Sequence, residues 1–151
     1  MKLLVCALVS ALALAAGAFG GTGAAPLPIT AKVLAAGVVA KPFATRVTTP
    51  GDVIVVSVKV APGASFGWHY HPSTVAVAVV SGTLTLYDGR DASCAPQRIT
   101  AGHGFLEAKG QVHLARNEGT KPVLLVATFI GAPHGQNTQV AAKQPANCSV
   151  E

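Results

Sequence analysis

The stretch that decides the fold lies at residues 63–82 and reads GASFGWHYHPSTVAVAVVSG. Its second half, residues 75–80, is a run of valine and alanine, which is typical of a strand buried on both faces. Its middle places His69 and His71 two positions apart. Because side chains at i and i+2 of a strand point to the same face, we expect the two imidazoles to lie side by side.

Short apolar runs broken by glycine and proline continue on both sides of this stretch. From about Ile29 onward no ten residues have the 3.6-residue apolar period of an amphipathic helix, and turn signals such as Ser81-Gly82 and Asp88-Gly89 separate the runs. So many short strands predict an all-β sandwich or barrel. The predicted strands span residues 29–40, 53–60, 67–71, 74–80, 83–87, 97–100, 104–107, 112–117 and 123–130.

The composition is that of a single globular domain. Of the 151 residues, 50% are hydrophobic and 11% are charged, which excludes an intrinsically disordered chain because disorder requires low hydrophobicity and high net charge. The 11 basic residues are scattered along the chain rather than clustered. We therefore expect no nucleic-acid partner.

The first 25 residues have the pattern of a secretory signal peptide. Lys2 precedes an apolar run at residues 3–16, and mostly small residues follow at 17–25. The run is shorter than the roughly 20 residues that cross a bilayer. We predict a cleaved signal peptide over 1–25, a mature domain over 26–151, secretion, and no stable membrane anchor after processing. The alternative is a retained N-terminal anchor.

Two of the three cysteines, Cys94 and Cys148, remain after removal of this segment. An even number of cysteines in an exported chain indicates a disulfide, the alternative being two free thiols. The bond would attach the segment that follows Gly131, which we expect to be coil, to the loop at residues 89–96.

A second histidine-containing stretch lies at residues 102–117 and reads GHGFLEAKGQVHLARN. The spacing of the first stretch, with Gly63, His69, His71, Val75 and Gly82, resembles the first motif of the cupin superfamily. The second stretch resembles the second cupin motif through Gly102, Gly110, His113 and Asn117, with Ala108 where the family usually has proline.

The resemblance implies a double-stranded β-helix, the cupin jelly-roll barrel, with His69, His71 and His113 as ligands of one divalent metal ion (Fe, Mn, Zn, Cu or Ni). The motif glutamate is replaced by Val75, which cannot coordinate a metal. Glu107 is an alternative source of a carboxylate, as a ligand or as an acid/base group. On spacing alone, the histidines could equally be exposed or hydrogen-bonded side chains.

These observations lead to two hypotheses for function. The first is an exported metal-binding cupin that acts on a small molecule as a dioxygenase or Lewis-acid enzyme. The second is a non-catalytic cupin that binds a small molecule or sugar, or stores metal. The resemblance also implies a homodimer. We expect Trp68, which would point away from His69, to have a packing role rather than to contact substrate. His103 and His134 are expected to lie at the surface.

Overall fold

Ten β-strands make up the regular structure of residues 31–150, which are the residues described by the structure, a computed structural model. The predicted signal peptide lies outside them. No helix in this part of the chain has the length and hydrophobicity needed to cross a membrane. The strands are β1 (Val38–Val39), β2 (Asp52–Val60), β3 (Ser65–Tyr70), β4 (Thr74–Ser81), β5 (Thr83–Asp88), β6 (Gln97–Thr100), β7 (His103–Glu107), β8 (His113–Arg116), β9 (Val123–Ala132) and β10 (Val140–Ala141).

The strands form two five-stranded sheets. One has the order β1-β7-β4-β9-β2 and the other the order β10-β3-β8-β5-β6. All neighbours are antiparallel except β1 and β7. The all-β prediction is confirmed, and eight of the nine predicted strands are present with ends shifted by at most two residues.

The core lies between the sheets and follows the two-residue period of the strands. In β4 the valines Val75, Val77 and Val79 point inward and are buried, whereas Ala76 and Ala78 on the outer face are only partly buried. The expectation that this strand is buried on both faces is therefore only partly met. The other buried apolar residues of this core are Val60, Leu84, Leu86, Ala115, Val123, Leu125, Ala127, Phe129 and Ala132.

The strand predicted at 29–40 begins at two residues outside the described part of the chain, and over most of residues 31–40 it is wrong. Only β1 forms, by parallel pairing of Val38 and Val39 with β7, and residues 31–37 are outside any strand. Val33 and Leu34 are both 76% exposed, so their side chains gain no burial that would hold a longer strand in place. A Cβ on Gly37 would lie 2.7 Å from the backbone of His103, so this close approach requires glycine.

The C-terminal segment lies against the outer face of the second sheet. Cys94 and Cys148 form a disulfide, as predicted. Trp68 packs in a second core cluster with Leu114 and the disulfide, which agrees with its predicted packing role, and its Nε1 donates a hydrogen bond to the carbonyl of Val150 at 3.0 Å. The segment is coil, as expected, apart from β10.

Asn117, the last residue of the second motif, has a structural role. It is fully buried, and its Nδ2 donates hydrogen bonds to the carbonyls of Val60 at 3.0 Å and Lys121 at 2.8 Å. Its Oδ1 accepts a hydrogen bond from the backbone N–H of Gly119 at 3.0 Å. One side chain thereby satisfies three backbone groups where β8 leads into β9.

We predict that removing the disulfide with Cys94→Ser and Cys148→Ser together lowers the free energy of unfolding by about 4 kcal/mol. The bond closes a loop with a sequence separation of 54, and its loss increases the entropy of the unfolded chain. Urea unfolding of the oxidised parent and the double variant measures the difference. Equal midpoints and slopes would contradict the prediction.

We predict that Asn117→Ala lowers the free energy of unfolding by about 2–3 kcal/mol, because it leaves backbone groups without partners inside the protein. Urea unfolding followed by circular dichroism measures the loss. Asn137→Ala, at an exposed position in the C-terminal segment, is the matched control and should change stability by less than about 0.5 kcal/mol.

Candidate metal centre

The three predicted ligand residues lie together in the interior. His69 is in β3, His71 directly follows that strand, and His113 begins β8 and is the direct cross-strand partner of His69. All three are buried, with exposed fractions of 3%, 5% and 0%. Each can offer one ring nitrogen such that the three atoms lie within 4.8 Å of one another. The i and i+2 argument thus places His69 and His71 correctly.

His69 and His113 are oriented by the same local device. In each case Nδ1 is 2.8 Å from the carbonyl oxygen two residues earlier, which belongs to Gly67 for one and to Gln111 for the other. A carbonyl only accepts, so Nδ1 carries the proton and Nε2 has a free lone pair. Gly67 has φ +71°, which favours glycine, and it sits in an irregularity of the β3–β8 ladder.

His71 is oriented by a distant part of the chain. Its Nδ1 donates to the carbonyl of Thr138, in the C-terminal segment just before β10. Ten residues later Cys148 ties this segment to Cys94. The pairing of β10 with β3 and the disulfide therefore support the orientation of one of the three imidazoles.

A carboxylate from the opposite sheet lies against two members of the cluster. Glu107, at the end of β7, is 4% exposed, and its Oε1 lies 3.0 Å from Nε2 of His113 while its Oε2 lies 3.2 Å from Nε2 of His71. The sequence raised Glu107 only as an alternative. The register of β4 against β7, which the sequence does not give, makes Glu107 the direct cross-strand partner of Val75, the position at which the first motif lacks its glutamate.

The electrostatics of the cluster follow from burial and from this carboxylate. Burial lowers the pKa of His69 to about 4. For His113, burial acts in the same direction but is outweighed by Glu107, so its pKa is raised. Burial would raise the pKa of Glu107, but the contacts with His113 and His71 lower it to about 2. The carboxylate is therefore ionised at neutral pH.

The donor set fits a divalent metal ion. The Nε2 atom of His113 is fully buried and has no hydrogen bond of normal geometry, although Glu107 Oε1 is close to it. Three imidazoles with a neighbouring carboxylate suit Zn, Fe, Ni, Cu or Mn. A cation among these atoms would satisfy the buried nitrogen and the buried charge together.

His69 and His71 line a partly open cavity of about 70 Å³. Its polar lining consists of His69, His71, Glu107 and Gln139. The rest of the lining is apolar and comes from both sheets: Val56, Val58, Phe66, Val75, Val77, Leu84, Phe105, Ala115, Leu125, Ala127 and Phe129. The cavity could hold a few non-hydrogen atoms beside the cluster.

The remaining two histidines lie away from the centre. His134 is exposed and contacts Asp52 through Nδ1 at 3.1 Å. His103 is exposed at the start of β7 and pairs with Thr100 at 3.1 Å. Both occupy the surface, as expected.

Comparison with known proteins identifies the family. A family profile described as a cupin domain matches residues 56–129. This range includes both histidine stretches and ends within β9. The chain belongs to the cupin superfamily. The cupin fold of residues 31–150 is thus the one that the two motifs predicted.

Solved structures with this fold include an uncharacterized double-stranded β-helix protein from Klebsiella pneumoniae, with 28% identity and TM-score 0.50, covering 61% of this chain and 71% of that one. A DMSP lyase from Ruegeria pomeroyi has 16% identity and TM-score 0.51, covering 62% and 44%. Bacillus subtilis oxalate decarboxylase, described with Mn(II) centres, has 20% identity and TM-score 0.50, covering 60% and 24%.

This cupin spans less than half of the length of each of the two named enzymes, and at these identities the similarity shows the fold alone. No curated protein matches the sequence significantly. Any function must therefore be argued from the cluster and its cavity.

We predict that the imidazoles of the metal-free protein titrate in a defined order. As the pH falls, His113 should protonate first, above pH 6.5, because Glu107 favours its charged form. His69 should protonate only near pH 4, because burial disfavours its charged form. Imidazole ¹⁵N chemical shifts recorded against pH in the presence of a chelator measure both. Protonation of His69 before His113 would contradict the prediction.

Proposed function

We propose that this cupin is an exported protein that binds one divalent metal ion through Nε2 of His69, His71 and His113 and handles a small molecule beside it. The observation that carries the proposal is the shared orientation of the imidazoles. Each Nδ1 faces a backbone carbonyl, so each Nε2 is the atom left to bind a metal.

The cavity supports a ligand class. Its walls are apolar except at the cluster and Gln139, so a bound molecule would be small, mostly apolar, and polar at the end facing the histidines. Gln139 donates from Nε2 to the carbonyl of Phe66 at 3.2 Å, which leaves its side-chain oxygen as an acceptor at the cavity wall.

A metal bound at this centre would supply Lewis-acid or O₂ chemistry. The chain's own contribution is to hold three imidazoles in place through their Nδ1 contacts and to surround the ligand with apolar side chains that exclude water. We propose small-molecule dioxygenase or Lewis-acid activity on this basis. A non-catalytic binding or storage role is the second candidate. Glu107 is the only cavity-lining carboxylate among residues 31–150, so the cavity has no pair of carboxylates for acid/base catalysis.

Export is supported by the cysteines. The Cys94–Cys148 disulfide is of the kind that persists in oxidising compartments. We therefore propose that the protein acts outside the cytoplasm after loss of residues 1–25. The mature N-terminus of protein recovered from the exterior tests this proposal.

We predict that chelator-treated protein binds one equivalent of Zn²⁺ or Mn²⁺, and that His113→Ala weakens binding by about 100-fold or more. The substitution removes one of three ligands from a buried site. Competition with a metal indicator dye measures the affinity. His134→Ala, which removes an exposed histidine, is the matched control and should bind like the parent.

Binding of the same strength in His113→Ala would refute the three-histidine site, whereas failure of the parent protein to bind any metal would refute the metal-dependent function. With the loaded protein, O₂ uptake and product formation in a screen of small apolar acids and thiols separate enzyme from binding protein.

A further inference from the structure

The cavity contains a carboxylate whose position the three-histidine site leaves unexplained. Glu107 lies in the first sheet, whereas the histidines are held by the second. In the β4–β7 ladder Glu107 stands directly opposite Val75, and directly opposed residues project from the same face. Both side chains line the cavity.

The contacts of Glu107 are made with metal-binding atoms. Oε1 and Oε2 approach the Nε2 atoms of His113 and His71 at 3.0 and 3.2 Å. Two atoms bound to one ion at about 2.1 Å, with angles between about 90 and 110°, are separated by about 3.0–3.4 Å. The carboxylate oxygens are thus as far from these nitrogens as ligands of a shared ion would be.

The surroundings of Glu107 offer it no other cation. The carboxylate is 4% exposed, and no lysine or arginine of the described chain lines the cavity. A buried carboxylate is strongly unfavourable unless a positive charge compensates it. Compensation can therefore come only from the histidine cluster and from a cation bound to it.

We propose that Glu107 is the fourth, anionic ligand of the metal centre, supplied by β7 across the interior from the three histidines. This inference rests on the proposed metal-binding function. With the carboxylate bound, a divalent ion in the site has a net charge of +1 instead of +2. The two sheets are then joined through the ion, and one coordination position fewer is open to substrate.

The test compares metal affinity in three variants of the full mature chain. Glu107→Gln keeps the shape but removes the charge, and it should weaken Mn²⁺ and Zn²⁺ binding by about 100-fold. The exchange variant Val75→Glu/Glu107→Val moves the carboxylate to the neighbouring strand β4 of the same sheet and should recover binding to within about tenfold of the parent. Glu118→Gln is the matched control and should bind metal like the parent. Glu118 is partly exposed and accepts a hydrogen bond from the hydroxyl of Tyr87.

The visible absorption of Co²⁺-loaded protein provides a readout that a purely structural role would not change. Loss of a carboxylate ligand in Glu107→Gln should shift the Co²⁺ bands, and the exchange variant should shift them back toward the parent. Each variant is checked for folding by near-ultraviolet circular dichroism without metal. If Glu107→Gln does not fold, the exchange variant still tests the assignment.

Three results would overturn the assignment while leaving the metal site intact. These are parent-like affinity in Glu107→Gln, an unchanged Co²⁺ spectrum in that variant, or a folded exchange variant that binds no better than Glu107→Gln. Absence of metal binding in the parent would instead overturn both this inference and the proposed function.

Discussion

A carboxylate and three imidazoles are buried together between two sheets whose other inward side chains are almost all apolar. Burial of these groups is unfavourable unless each polar atom has a partner. Backbone carbonyls satisfy the three Nδ1 atoms, and Glu107 lies against two of the Nε2 atoms. The buried carboxylate and the Nε2 atoms still require a positive charge between them, and the proposed function follows from that requirement.

The carbonyls that accept hydrogen bonds from the three Nδ1 atoms come from segments that are far apart in the chain. His69 and His113 use carbonyls two residues away, so their orientation is local to β3 and β8. His71 instead depends on Thr138, which is held near β3 by β10 and by the disulfide. The C-terminal segment therefore contributes to the geometry of the centre as well as to stability.

Much of this could be predicted from particular residues. The two-residue spacing of His69 and His71 was sufficient to place them on one face, and the spacing of Gly102, Gly110 and His113 identified the third histidine through the cupin resemblance. The strand predicted at 29–40 failed because valine and leucine favour a strand only where a partner and a buried face exist. Residues 31–37 have neither, since their side chains are largely exposed.

By itself, the sequence determined the class of fold, the pair of cysteines and the shared face of His69 and His71, because these depend on local periodicity and short spacings. His113 was added to them through the resemblance of the two motifs to cupins. Only the tertiary structure decided which carboxylate and which carbonyl reach the centre. Glu107 enters through the register of β4 against β7, and Thr138 through the path of the C-terminal segment. Both are pairings between residues at least 32 positions apart, and such pairings are set by packing of the whole barrel.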